Sequence, residues 1–463
     1  MSRSRYCRNT ETVVGRRNFL KHTAAGFGWL ALGALHQRAS SAEATTAKAS
    51  ESRNPLAPKQ PHHTPRAKRV IFLYMDGGPS HIDSFDWKPE LARSGGDAGS
   101  RYMAPVLDFH PHGESGLMIS DVFPHLARCA DELCLLNGMQ TKNPGHQQAV
   151  VALHTGSESF VRPSMGAWTT YGLGSESESL PGFVTINPIV DKGGAMNYGS
   201  AFLPATFQGT RLSSGSSGVP NIRNRHLSAG DQRRQLDFLE RANRRLLAHD
   251  EGHPEVEGLI QSYELAYRMQ TKVPETLDLS REPQHVRDLY GVDDRDTANF
   301  GAQCLMARRL AEAGVRFIQL TSTGWDHHTD MRGNMERRAL AIDRPMAGLI
   351  ADLKQRDLLR DTLLLWGGEF GRTPNPDNGG GRGHNNKGYT MWMAGGGVKG
   401  GMRYGATDEL GGASVEGVMG THDLHATLLH LLGLDHEQLT FRYAGRDFRL
   451  TDTEGVVARG ILA

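Results

Sequence analysis

The chain has 463 residues, 38% hydrophobic and 22% charged, enough apolar content for packed cores and too much for global disorder. Fifty-two basic residues against fifty-one acidic give +1, which excludes a general nucleic-acid binder; four cysteines exclude a disulfide-built scaffold. The balance is uneven, because residues 1–44 carry seven Lys/Arg and two Asp/Glu, a local +5 that leaves −4 for residues 45–463.

Arg16 and Arg17 open the run Arg-Arg-Asn-Phe-Leu-Lys, a mildly apolar stretch follows from Thr23 to Leu35, and Ala39 to Ala44 offers small residues for cleavage. The pattern predicts a twin-arginine signal peptide over 1–44, with Gly15 where Ser or Thr is usual, and export of the folded chain to the periplasm or beyond. The apolar stretch is shorter than the ~20 residues of a membrane span, and the alternative reading is an uncleaved anchor helix. No segment of the mature chain is long and apolar enough to cross a bilayer. Residues 45–67, with Pro55, Pro58, Pro61 and Pro65, read as a linker in which His62 and His63 are solvated. Cleavage would leave Cys129, Cys134 and Cys304, read as buried thiols with a Cys129–Cys134 bridge as the alternative.

The run Arg69-Val-Ile-Phe-Leu-Tyr-Met75 predicts a strand covered on both faces, ending in the turn-rich Asp76–Asp83. Ser/Gly-rich residues 209–221 read as a loop, and the leucines of 223–272 as amphipathic helix, either an insertion or a layer of the main domain. Further on, Ala302–Ala313 predicts a helix, Val315–Thr321 a strand, Ala339–Leu359 a helix and Thr362–Trp366 a strand. Thr421–Leu432 reads as an N-capped helix whose His422 and His425 serve capping or core roles. Helix followed by apolar strand, repeated, indicates a three-layer α/β/α sandwich with a largely parallel sheet over residues 68–463.

In such sheets the loops at the carboxyl ends of strands build the site. They nominate Asp76, then Asp326, His327 and His328, then Glu369 and Arg372, and the glycine-rich loop ending in His384. Alternation in an extended segment places Asp326 and His328 on one face and favours His328 over His327. Carboxylates and imidazoles gathered at strand ends are the ligand set of a hydrolytic divalent-metal centre. There is no Gly-x-Ser-x-Gly elbow, and Gly395–Gly401 lacks the Gly-Lys-Ser/Thr ending of a phosphate loop.

The segments Asp76-Gly-Gly-Pro-Ser-His-Ile-Asp83, Gly324-Trp-Asp-His-His328, Glu369-Phe-Gly-Arg-Thr-Pro374 and Gly445–Asp452 resemble the secreted bacterial domain-of-unknown-function 1501 family (DUF1501), as do Tyr290-Gly291 and Leu432–Glu437. That family is itself similar to the alkaline phosphatase and sulfatase superfamily. The resemblance implies an alkaline phosphatase-like fold with one or two metal ions (Zn, Mn or Ca) held by Asp76, Asp326, His328, Glu369 and His384. Where the superfamily has Asp-His-Gly, this chain has Glu369-Phe370-Gly371, and Phe370 cannot bind a metal. Sulfatases place their nucleophile nine residues before a Thr-Gly pair; here that position, counted from Thr155-Gly156, is His146, a ligand, base or nucleophile, with Thr141 nearby. The expectation is an exported hydrolase of phosphate or sulfate esters using metal-activated water, with Arg372 and Lys387 on the anionic substrate, which could be part of a sulfated or phosphorylated polymer. The alternative is a non-catalytic surface protein that binds an anionic polymer or a partner protein on the same frame.

Overall fold

The computed structural model describes residues 54–463, apart from residues 98, 215–221, 223–225, 250–253 and 378. The signal peptide expected over 1–44 lies outside the described residues. No helix among the described residues is long and apolar enough to cross a membrane.

Eight strands form the central sheet: β1 (Arg69–Asp76), β2 (Leu133–Met139), β3 (Phe183–Ile186), β4 (Thr210–Leu212), β5 (Phe317–Thr323), β6 (Thr362–Gly367), β7 (Tyr389–Ala394) and β8 (Met402–Tyr404). Their order is β8-β2-β7-β6-β1-β5-β3-β4, and only β7 runs antiparallel to its neighbours. Sitting at the centre, β1 is paired from Val70↔Phe317 to Asp76↔Thr323 with β5 and from Arg69↔Thr362 to Tyr74↔Gly367 with β6. Every residue of β1 is buried, as its unbroken apolar run requires.

Alternation along β1 divides the core in two. Val70, Phe72 and Tyr74 pack with Val150 and Leu153 of α1 (His146–Thr155), Trp168 of α2 (Met165–Leu173) and, further along the chain, Leu424 and Leu428 of Thr421–Leu431. Ile71, Leu73 and Met75 face the other way, onto helices between β4 and β6. There α3 (Ala229–His249) packs on α4 (Pro254–Leu277), whose Met269 and Val273 enter that core. With them lie α5 (Gln284–Tyr290), α6 (Ala298–Glu312) and α7 (Met331–Gln355). The third helix of the first layer is α8, the Thr421–Leu431 segment. Each fully buried Leu, Ile or Phe in these layers contributes roughly 1.5–3 kcal/mol.

Two expectations need correction. Residues 54–67 are not a solvated spacer: Leu56 and Ala67 are buried. The amides of Lys59 and Arg66 donate to the carbonyls of Leu173 and Leu431. Those carbonyls close α2 and α8 and have no acceptor role left inside their helices, so an extended, proline-spaced segment satisfies them. His62 likewise accepts from the amide of Asp435. The second correction is to the loop expected over 209–221, of which Thr210–Leu212 is the edge strand β4, paired in parallel with β3. The cysteines Cys129, Cys134 and Cys304 are free thiols, and burial pushes the Cys134 thiol up to about 12.

The carboxyl ends of β1, β3, β5 and β6 meet on one edge of the sheet, where a hairpin of Gly371–Asp377 with Gly381–Asn385 folds over them. It is sewn down by backbone bonds from Asp330, Met331 and Arg382 to Gly379, Gly380 and His327. A Cβ on Gly381 would stand 1.9 Å from the His328 carbonyl carbon, so only glycine permits this approach. Beneath it, the guanidinium of Arg382 donates to Asp83 at 2.8 Å, both side chains fully buried, and also to the carbonyls of Met103 and Ala104. Asp83 further accepts from Ser80 and the Val106 amide. Replacing Asp83 with Ala strands a buried guanidinium. The expected cost is about 3–5 kcal/mol of unfolding free energy, measured by guanidinium denaturation, with the hairpin loosened first.

Candidate metal centre

Four side chains from three chain segments converge at the strand ends. Asp326 and His328 come from the loop after β5, His146 is the first residue of α1, and His384 lies on the second strand of the hairpin. Ligand atoms of His146, Asp326 and His384 all lie within 4.8 Å of one another. Around the Asp326 carboxylate stand the Nε2 atoms of His146 at 3.1 Å, His328 at 3.0 Å and His384 at 3.2 Å.

The opposite ring nitrogens fix what those Nε2 atoms are. His384 Nδ1 lies 2.8 Å from the Pro144 carbonyl, His146 Nδ1 2.6 Å from Glu369 Oε1, and His328 Nδ1 2.7 Å from Asp377 Oδ2. A carbonyl or carboxylate only accepts, so each Nδ1 bears a proton and, in a neutral ring, each Nε2 carries a lone pair. Three lone pairs then face one carboxylate, and His328 and His384 meet Nε2 to Nε2 at 2.9 Å. His146 Nε2 is buried and makes no aligned hydrogen bond. Such an arrangement is repulsive unless protons or a cation stand between the groups. The donor set therefore fits a divalent metal, and imidazole nitrogens beside a carboxylate are ligands of the kind Zn takes.

The surroundings hold this geometry. The Trp325 amide donates to the Asp76 carbonyl, and a Cβ on Gly77 (φ 121°) would meet the Asp326 nitrogen at 2.5 Å. Gly77 thus lets the β1 and β5 loops touch, and its N–H donates to Glu369. Phe370, buried, packs its ring against His146 (centroids 4.8 Å) and His384 (4.5 Å). Its aromatic ring is an apolar floor for two imidazoles. Asp326 and His328 remain 37% and 40% exposed, which leaves the cluster open to solvent on that side.

Other expected residues lie elsewhere. Asp76 keeps its carboxylate on Lys192, whose Nζ stands 3.1 and 3.2 Å from the two oxygens. Tyr74 donates to Glu369 at 3.1 Å and reaches Asp76 at 3.4 Å. Glu369 is spent on His146, Gly77 and Tyr74. Arg372, expected on substrate, is fully buried: it donates to the carbonyls of Gly78, Gly77, Arg382 and Trp325 and to Asp326 Oδ1 at 2.6 Å. Lys387 is exposed and lines, with Thr141, Lys142, Phe160 and His422, a cavity of about 570 Å³ to which His146, Asp326, His328 and His384 do not contribute. His327 is buried against the Gly324 carbonyl, His422 bonds Glu454 and Gly156, and His425 bonds Leu153. Burial takes His327 down to about 4 and His425 to about 3, the neutral state of core histidines.

Sequence reasoning passed over Lys192 and Asp377. Applied to Phe183–Ile186, the strand-end rule points to Asp191-Lys192-Gly193-Gly194, but a run of only four residues, Phe-Val-Thr-Ile, does not stand out as a strand. Asp377 was concealed in a turn sequence.

Residues 67–462 match the family described as Protein of unknown function (DUF1501). No curated protein matches the chain in sequence. Similar solved structures include the PsFucS1 sulfatase of Pseudoalteromonas sp., at 14% identity and TM-score 0.36, over 80% of this chain and 69% of that one. Alkaline phosphatase from the Antarctic bacterium TAB5 is another, at 12% and 0.35, over 80% and 98%. A third is the zinc-complexed C-terminal periplasmic domain of EcEptC from Escherichia coli, at 9% and 0.35, over 83% and 87%. Likeness at these scores says nothing of chemistry.

Electrostatics sharpen the picture. Burial opposes ionisation of Asp326, but His146, His384 and the Arg372 guanidinium around it hold its carboxyl well below the usual carboxylate range. For His146, burial disfavours the charge, yet Asp326 and Glu369 outweigh it and carry the imidazolium up to about 9 from 6.5. A raised folded-state value stabilises in full below the unfolded value and is lost as pH rises through the folded one. The metal-free protein should therefore lose thermal stability between about pH 6.5 and 9. If a metal holds His146 neutral as a ligand, the metal-loaded protein should not, as scanning calorimetry with and without chelator would record.

Proposed function

Because the chain belongs to the DUF1501 family, whose description assigns no activity, we propose from the centre's own geometry that it hydrolyses phosphate or sulfate esters through a bound divalent metal. The observation that carries this is the convergence of three proton-locked imidazoles on the Asp326 carboxylate, open to solvent. His146, Asp326 and His384 would hold the ion, with His328 beside them completing a nitrogen-rich set. The chemistry such an ion supplies is Lewis acidity toward ester oxygens and an acidified water at neutral pH, which suits a site with no Ser or Cys nucleophile.

The remaining roles belong to the chain itself. Glu369, Asp377 and the Pro144 carbonyl keep the protons on Nδ1, so that Nε2 stays a donor to metal. Arg372 orients Asp326 and balances its charge from below, and Phe370 keeps water from beneath the imidazoles. With Arg372 withdrawn, Lys192, 21% exposed, is the cation of this cluster that faces solvent and would neutralise an anionic ester. The Arg16-Arg17 signal supports a place outside the cytoplasm, the metal loaded before export.

Asp326→Ala should abolish metal content, read by plasma mass spectrometry, and hydrolysis of aryl phosphate and aryl sulfate together. Hydrolysis that persists without metal overturns the reading. Glu369→Gln, which keeps the shape but weakens the hold on His146, should lower metal affinity about 10–100-fold in chelator competition.

A further inference from the structure

Resting on the metal-centre reading above, we infer that the centre takes one divalent ion and not two, because the ammonium of Lys192 holds the place of a second cation on Asp76. Asp76 and Glu369 lie close enough to share the hydroxyl of Tyr74, at 3.4 and 3.1 Å. Two neighbouring carboxylates at the ends of adjacent central strands, β1 and β6, are a ready seat for a second cation. Here the ammonium already sits on both oxygens of Asp76, at 3.1 and 3.2 Å, with the carboxylate only 8% exposed.

The lysine is built in rather than loosely swung. Ile189, itself buried, anchors the loop that follows β3, and Asn197 donates to the Lys192 carbonyl at 2.8 Å. The next amide, Gly193, donates to Gln147, the neighbour of His146 on α1. At Gly193 (φ 74°) a Cβ would meet Asn197 at 2.4 Å and Val151 at 2.9 Å, so the turn that aims Lys192 is tightly fitted. The loop is thus tied to the helix that presents His146.

Charge gives the same answer. The hydrogen-bonded cluster holds four carboxylates, Asp76, Asp326, Glu369 and Asp377, against two fixed cations, Lys192 and Arg372. With neutral imidazoles, two negative charges remain, which one divalent ion balances. A second ion would leave net positive charge in a partly buried site. Lys192 therefore makes the centre mononuclear and leaves a protonic, fixed charge where an anionic ester would otherwise meet a second metal.

The test is metal stoichiometry of the full chain, using Zn²⁺ or Mn²⁺ alone in isothermal titration calorimetry, with bound metal confirmed by plasma mass spectrometry. The wild-type protein should take one equivalent. Lys192→Ala, and Lys192→Met, which keeps the apolar stem, should each take a second, weaker equivalent that Asp76→Asn removes again. Circular dichroism melting identifies any variant that fails to fold. Two equivalents in the wild type overturn the inference and leave the metal-centre reading standing, as does a folded Lys192→Met protein that takes no second ion at millimolar metal. A wild-type chain that binds no metal overturns both.

Discussion

The centre depends on one electrostatic conflict: three imidazole nitrogens with their lone pairs turned inward, held against a single carboxylate. Nothing in the side chains alone makes that arrangement favourable, since lone pairs and carboxylate oxygens repel. It persists because each ring is fixed from behind by an acceptor that dictates its tautomer, and because the rings lean on Phe370. Without metal the conflict is relieved by protons, which is why His146 is held protonated up to about 9. On the proposed reading a divalent ion would take the place of those protons, and folding stability and metal occupancy would then be two readings of one competition.

Holding four groups from three chain segments to this tolerance requires a stiff support. The sheet supplies it by bringing several strand ends to one edge, and the hairpin by sewing itself to the 327–331 segment through backbone bonds. The fully buried Asp83–Arg382 pair ties that hairpin to the first loop, the same loop that carries Gly77. A buried ion pair gives little net stability over an apolar pair, but it fixes one register for the groups above it. Arg372 acts in the same manner on Asp326. The chain thus places two guanidiniums in its interior for orientation and keeps an ammonium, Lys192, near the opening.

Much of the frame was legible because its signals are local. The continuous apolar run of β1 could only be a strand covered on both faces, and the helix–strand alternation after residue 298 gave the layers their order. Helix α7 begins earlier than its apolar pattern, at Met331, because Asp330 caps it with a bond from Gly333 while the first turns stay largely polar and exposed. Short strands such as β3 and β4 escaped notice, since a few apolar residues carry no period. The proline-rich stretch gave the wrong impression for a related reason. Its composition describes an extended chain, and only the neighbouring helix ends decide whether that chain lies in water or against carbonyls.

By itself, then, the sequence determined the sandwich class, the place along the chain of three central strands, β1, β5 and β6, and the chemical kinds in the loops beyond them: Asp76, Asp326, His328, Glu369 and His384. Those follow from hydrophobic periodicity and from turn residues, which act over a few positions. What each of those groups faces was decided by tertiary structure alone. Asp76 meets Lys192, 116 residues on; His146 meets Glu369, 223 residues on; Arg372 turns inward to Asp326 instead of outward to substrate. A carboxylate's role as ligand, orienting acceptor or partner of a lysine depends on which charge and which lone pair stand about 3 Å away. That neighbour is chosen by the packing of distant segments, and no local pattern encodes it.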